Sequence, residues 1–192
     1  MNKKDGMPLF ISNNFDDQIN KKEIFLDNDF LDALYKNESL LKEVLVLFSK
    51  SFFLIDSFIG FEFLQTIFIS EERETREKFL ISEFFYPAVN HPEIVLKMQE
   101  NGLLLSRMYA HQGGNSKNAS ITDLMLAGKI MYLKKANPLL ISANKKHFSN
   151  CIFETMGVIT WEKPTTGDSI SYFLLKFSDD RFKASYAKLQ KI

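Results

Sequence analysis

The feature that most constrains this chain is a set of short, uninterrupted apolar runs separated by stretches of helical periodicity. Ile24-Phe25-Leu26 is closed by Asp27-Asn28, Phe52-Phe53-Leu54-Ile55 by Asp56-Ser57, and Leu139-Leu140-Ile141-Ser142 follows Asn137-Pro138. Runs this short and this apolar are expected as strands buried on both faces, as in the centre of a parallel sheet. Parallel neighbours need long right-handed crossovers, and the helical stretches supply them. The expected class is therefore α/β, a mostly parallel central sheet covered on both faces. Ligands of such sheets sit beyond the carboxyl ends of the strands. Asp27 directly follows its strand and is expected at that edge.

The helical stretches can be placed by caps and periodicity. Asp29 is expected to cap a helix through about Tyr35, and residues 38–50 carry a stripe at 41, 44, 45 and 48. Ser57 is expected to open a helix to about Ile69, with Glu62 inside it. The charged stretch 71–78 reads as a solvated helix face or connection, and residues 79–86 as a further helical segment stopping near Pro87. A helix from Pro92 to about Ala110 has Gly102 as a break point, and residues 111–118 read as a loop. Ser120 or Thr122 then starts a helix to about Lys135. Val158-Ile159-Thr160 is a fourth strand, and the tail holds Tyr172-Phe173-Leu174-Leu175 and a helical end from Asp179 to Gln190. This divides the chain into a polar lead-in (1–22), one main domain (23–162) and a C-terminal extension packed on it (163–192).

Composition narrows the function classes. The 192 residues are 45% apolar, enough for one substantial core, and the 19 phenylalanines read mainly as core. Twenty-four basic residues balance 24 acidic ones, so the chain lacks the overall positive charge that advertises a nucleic-acid binder; a local basic rim remains compatible with neutrality. The single Cys151 excludes an internal disulfide and a cysteine-pair zinc site. No stretch has the length and apolarity of a membrane span, and the cytoplasm is the expected compartment.

Three acids stand out by context. Glu62 interrupts Phe58, Ile59, Phe61, Phe63 and Leu64, while Asp123 borders a helix face carrying Leu124, Ala127 and Met131. A carboxylate beside a packed face needs a donor, a cation or a metal. Each also has a plain structural reading: Asp27 as a helix cap, Asp123 as a first-turn carboxylate, Glu62 as one half of a salt bridge. A shared divalent cation accounts for all three together.

In order and context these segments resemble the PIN-domain family of metal-dependent ribonucleases, which includes toxins of toxin–antitoxin pairs. The resemblance runs through Ile24-Phe25-Leu26-Asp27-Asn28, Gly60-Phe61-Glu62-Phe63-Leu64, Ile121-Thr122-Asp123-Leu124-Met125-Leu126-Ala127-Gly128 and Leu140-Ile141-Ser142-Ala143-Asn144-Lys145-Lys146-His147-Phe148. It covers about residues 23–162 and implies a PIN-like three-layer α/β/α sandwich. It also implies a divalent-metal-dependent endoribonuclease in which Asp27, Glu62 and Asp123 hold Mg2+ or Mn2+, with Ser142 and Asn144 orienting ligands or phosphate. His147 stands where a fourth acid is often found. It is a ligand for manganese rather than for magnesium, or else a plain loop histidine, and Asp29 or Asp56 are candidates to replace the missing charge. Lys134, Lys135, Lys145 and Lys146 are candidates for a nucleic-acid rim. RNA, an inhibitory antitoxin-like protein and a homodimer are the partners implied.

Two rivals follow from the same residues. A PIN-like module weakened by His147 would bind RNA or protein and cleave little. A magnesium-dependent phosphatase or receiver-like protein would use Asp27-Asn28-Asp29 as an Asp-x-Asp pair. Gly113-Gly114 lacks the Lys-Ser/Thr that completes a phosphate-binding loop, and no Ser-His-acid elbow is present.

Overall fold

Ile24, Phe25 and Leu26 have no exposed surface in the computed structural model, as a strand flanked on both sides and covered on both faces requires. The structure describes residues 19–65, 67–112, 118–162 and 167–191. The expectations for residues 1–18 of the lead-in and for Gly113-Gly114 lie outside the described residues. Among those described, six strands form one sheet: β1 (Glu23–Leu26), β2 (Phe52–Ile55), β3 (Phe85–Pro87), β4 (Leu139–Ser142), β5 (Phe153–Glu162) and β6 (Ser169–Phe177). Their order is β3-β2-β1-β4-β6-β5. The first four are parallel, and β6 runs antiparallel to both β4 and β5.

Seven helices accompany the sheet among the described residues: α1 (Asn28–Lys36), α2 (Glu38–Leu47), α3 (Ser57–Gln65), α4 (Ser70–Leu80), α5 (Pro92–Gln112), α6 (Ile121–Tyr132) and α7 (Asp179–Leu189). This α/β arrangement is consistent with a three-layer sandwich. No helix among the described residues is long and apolar enough to cross a membrane.

Several expected elements differ. Residues 79–86 are not a helix: Phe79 and Leu80 close α4, and Phe85–Pro87 pair with β2. Pro87 is tolerated there because β3 is an edge strand, and the next backbone donor, Ala88 N, reaches Ile55 O at 2.9 Å. The helix from Ser57 stops at Gln65 rather than Ile69, and α2 stops at Leu47 with Leu40, Val44 and Phe48 buried. The cap of α1 is Asp27, not Asp29. The tail strand expected at 172–175 lies inside the sheet, between β4 and β5.

Gly102 does not break α5, which continues unbroken to Gln112. It lets two helices approach backbone to backbone. A Cβ on Gly128 of α6 would stand 2.4 Å from Met98 O and 2.9 Å from Gly102 N, and one on Gly102 would stand 3.2 Å from Leu124 O. Asn101 Nδ2 donates to Gly128 O at 3.0 Å across the same crossing. The crossing helps fix α6, and with it Asp123, against the rest of the chain. Gly128→Ala is expected to cost about 1–3 kcal/mol in urea unfolding despite alanine's better helix propensity, because backbone atoms must move apart.

Candidate functional site: an acidic hollow at the sheet edge

Asp27 directly follows β1 and caps α1 with its side chain. Its Oδ1 accepts from Asn28 N at 2.8 Å, and its Oδ2 accepts from Ser142 Oγ at 2.6 Å. Ser142 is the last residue of the neighbouring strand β4, so two adjacent carboxyl ends of the sheet are tied at this point. Asp29, in the first turn of α1, accepts from Ala143 N at 3.0 Å just beyond the end of β4. The periodicity of α1 then brings Asp32 to the same hollow.

Asp123 enters from α6. It belongs to a capping box: Ser120 Oγ accepts from Asp123 N at 3.0 Å, and Asp123 Oδ2 accepts from Ser120 N at 2.6 Å. Glu62 reaches the hollow from α3, where the nearby Thr122 side chain favours its charged form. His147 completes the lining, with Nδ1 2.8 Å from Asp123 Oδ2 and 2.9 Å from the Asn144 amide. Asp27, Asp29, Asp32, Glu62 and Asp123 thus share one hollow of about 260 Å³ with Asn28, Ser120, Asn144 and His147.

The charges in it oppose one another. Burial pushes the Asp27 carboxyl well above the ordinary aspartate range, and Asp29 and Asp123 push it further, against the Ser142 hydrogen bond. Asp29 is raised by burial and by Asp123, and Glu62 by burial and then by Asp123 and Asp29. Of the two buried basic side chains nearby among the described residues, Lys129 pairs outside the hollow, and Arg76 pairs with Asp32 at its margin and with Glu72. Lys129, 1% exposed, meets Asp56 Oδ2 at 2.5 Å and Asn90 Oδ1 at 2.6 Å. Arg76 bonds Asp32, Glu72 and Phe63 O, each at 3.2 Å, and lies over the rings of Tyr35 and Phe63. Asp56 is therefore a structural partner of Lys129, while Asp29 is a member of the hollow.

The donor set fits a hard divalent cation: carboxylates from β1, α1, α3 and α6, together with the buried Asn28 Oδ1, which has no hydrogen-bond partner. As the side chains stand, no three His, Cys, Asp or Glu groups among the described residues are gathered closely enough to hold a metal ion. The acids line the hollow without closing on one point.

Of the residues singled out from sequence, the structure brings Asp27, Glu62, Asp123, Asn144 and His147 to the hollow, with Ser142 beneath Asp27. Lys145 and Lys146 line an adjoining groove. Lys134 is elsewhere: it pairs with Asp179 at 2.5 Å, beside the Phe177 ring, and Phe177 lies beyond the start of β4, at the opposite edge of the sheet. Lys135 follows it in the same turn. Both fall outside the rim because α6 runs from the hollow toward that opposite edge. Asp32 was the acid not singled out, and its place three positions after Asp29 on one helix face is the sequence signal for it.

Groups that hold their protons more tightly folded than unfolded stabilise the fold as pH falls. Metal-free protein is therefore expected to lose stability as pH rises from the ordinary aspartate value of 3.8 through the raised folded values of Asp27 and Asp29. Thermal midpoints taken across pH about 4.5 to 7.5 should fall for the native chain, with a smaller slope for Asp27→Asn. A native slope that is flat or rising would show that these acids ionise as freely in the fold as outside it. Compared with protein-family models, curated proteins and solved structures, the chain matches none significantly, so its functional reading rests on this geometry and on the sequence resemblance.

Proposed function

We propose that this chain is a PIN-like, divalent-metal-dependent endoribonuclease that hydrolyses RNA phosphodiester bonds. The observation that carries the reading is a cluster of mutually repelling, partly buried carboxylates at the carboxyl edge of a parallel sheet, with the buried cations Lys129 and Arg76 paired to Asp56 and to Asp32 and Glu72 rather than to Asp27, Asp29, Glu62 or Asp123. Asp27, Glu62 and Asp123 would hold Mg2+ or Mn2+, and Asp29 would supply the fourth negative charge that His147 does not. Such a cation, when bound, activates water and offsets charge on the phosphoryl oxygens. Ser142 positions Asp27 by donating to it, and Ala143 N does the same for Asp29. Lys145 and Lys146 offer positive charge beside the hollow. RNA as the substrate, an antitoxin-like inhibitor and a homodimer follow from the family resemblance, and a cytoplasmic setting from the sequence's want of a membrane-length apolar stretch.

One observation favours the weaker-cleaving alternative. His147 meets the Asp123 oxygen that also serves the helix cap, which leaves that oxygen less available to a cation. In that alternative the chain is a PIN-like binding module of RNA or protein.

The deciding experiment incubates purified protein with structured and single-stranded RNAs in manganese, magnesium or chelator. Metal-dependent cleavage is expected, reduced about 100-fold or more by Asp123→Asn and about 10–100-fold by Ser142→Ala, with circular dichroism confirming that each variant folds. His147→Asp should raise cleavage in magnesium if the histidine is what weakens the site. Absence of cleavage by folded native protein and by His147→Asp alike, in any metal, would remove the nuclease reading.

A further inference from the structure

Beside the acidic hollow lies an open groove of about 650 Å³, lined by Asp29, Asn144, Lys145, Lys146, Asn150 and Phe173. Asp29 and Asn144 line both depressions, so the two adjoin. Phe173 is the one aromatic ring in this lining. It comes from β6, where it pairs in register with Ser142, the residue that donates to Asp27. An aromatic face therefore stands one strand across from the buried carboxylate. Lys145 Nζ lies over this ring, 5.1 Å from its centroid, and Lys146 is exposed on the same wall.

We propose that this groove is a subsite for one unpaired nucleotide next to the bond to be cleaved, its base against Phe173 and its phosphate between Lys145 and Lys146. The inference deepens the nuclease reading and rests on it for the meaning of the adjoining hollow. The chemistry is an exchange. A half-buried ammonium on a ring is modestly held, a phosphate is a stronger partner for it, and a base is a larger partner for the ring. The amides of Asn144 and Asn150 present hydrogen-bonding groups along the edge of a stacked base. Only an unpaired base has a free face for Phe173, because in a duplex both faces are covered by neighbouring bases. A purely electrostatic rim would not make this distinction.

The test reads binding apart from cleavage. A short fluorescein-labelled oligoadenylate is titrated in chelator, where no hydrolysis occurs, alongside its duplex with oligouridylate and a labelled polyglutamate peptide. The native chain is expected to prefer the single strand. Phe173→Leu should weaken single-strand binding about 5- to 150-fold with little effect on the duplex, and Phe173→Tyr, which keeps the ring, should retain it. Replacing Lys145 and Lys146 by Gln should weaken both nucleic acids and flatten the salt dependence. Because the native chain's only tryptophan, Trp161, is buried, Phe173→Trp adds an exposed reporter whose fluorescence should be quenched by the oligonucleotide. That arm also covers a Leu variant that fails to fold.

Equal binding of single strand and duplex, unchanged affinity in Phe173→Leu, or no quenching in Phe173→Trp would overturn the subsite. Tight polyglutamate binding without RNA binding would overturn it in favour of an acidic protein partner. Single-strand binding that depends on Phe173, without cleavage in any metal, would keep the subsite and remove the nuclease reading. Cleavage that is indifferent to Phe173 would do the reverse.

Discussion

The hydrogen bond from Ser142 to Asp27 joins the ends of two neighbouring parallel strands through a carboxylate that is only 5% exposed. Everything around it answers to that buried charge. The same carboxylate caps α1, so the direction in which α1 leaves the sheet and the position of the charge are one decision. Since α1 also carries Asp29 and Asp32, two further acids are brought to the hollow by the cap that fixes the first. The capping box of α6 repeats the device for Asp123. Both helices begin at the hollow, and the positive ends of their dipoles offset part of the repulsion among the acids.

Two buried cations frame this arrangement, and of its acids they pair only with Asp32. Lys129 joins α6 to the end of β2 through Asp56, and its contact with Asn90 reaches Ser57 at the start of α3, since Asn90 donates to Ser57 Oγ at 3.0 Å. Arg76 ties α4 to α1 through Asp32 and to α3 through Phe63 O, one residue beyond Glu62. The helices that carry the acids are thus braced by ion pairs set just behind them. Removing one partner of such a buried pair leaves an uncompensated charge, so these braces cost more to break than surface pairs.

The apolar runs made β1, β2 and β4 legible, because a strand buried on both faces leaves a continuous apolar mark in the sequence. Asp27, Glu62 and Asp123 were legible for the opposite reason, as charges set against apolar surroundings. Asp29 was harder to place, since a residue two positions after a strand reads as a cap until the actual cap is known. The pairing of Lys129 with Asp56 joins residues 73 positions apart, and no local pattern announces it. β3 escaped notice because three residues ending in proline, after a charged helix, resemble the end of that helix. Phe173 could not be told from the other phenylalanines, since its place in the groove depends on which strand lies beside β4, and order along the chain does not reveal order across a sheet.

That order has a consequence for how the molecule comes together. β5 and β6 are consecutive and antiparallel, so they can zip as a local hairpin, but it is the later strand of the pair that docks on β4. Until residues 169–177 have been synthesised, the edge of β4 opposite β1 has no partner, and Ser142 is held from one side only. The acidic residues themselves all lie earlier in the chain. The groove adjoining their hollow acquires Phe173 late in synthesis, when the hairpin closes over the exposed edge. A nascent chain would carry every carboxylate of the hollow before it carried the aromatic wall of the groove beside it.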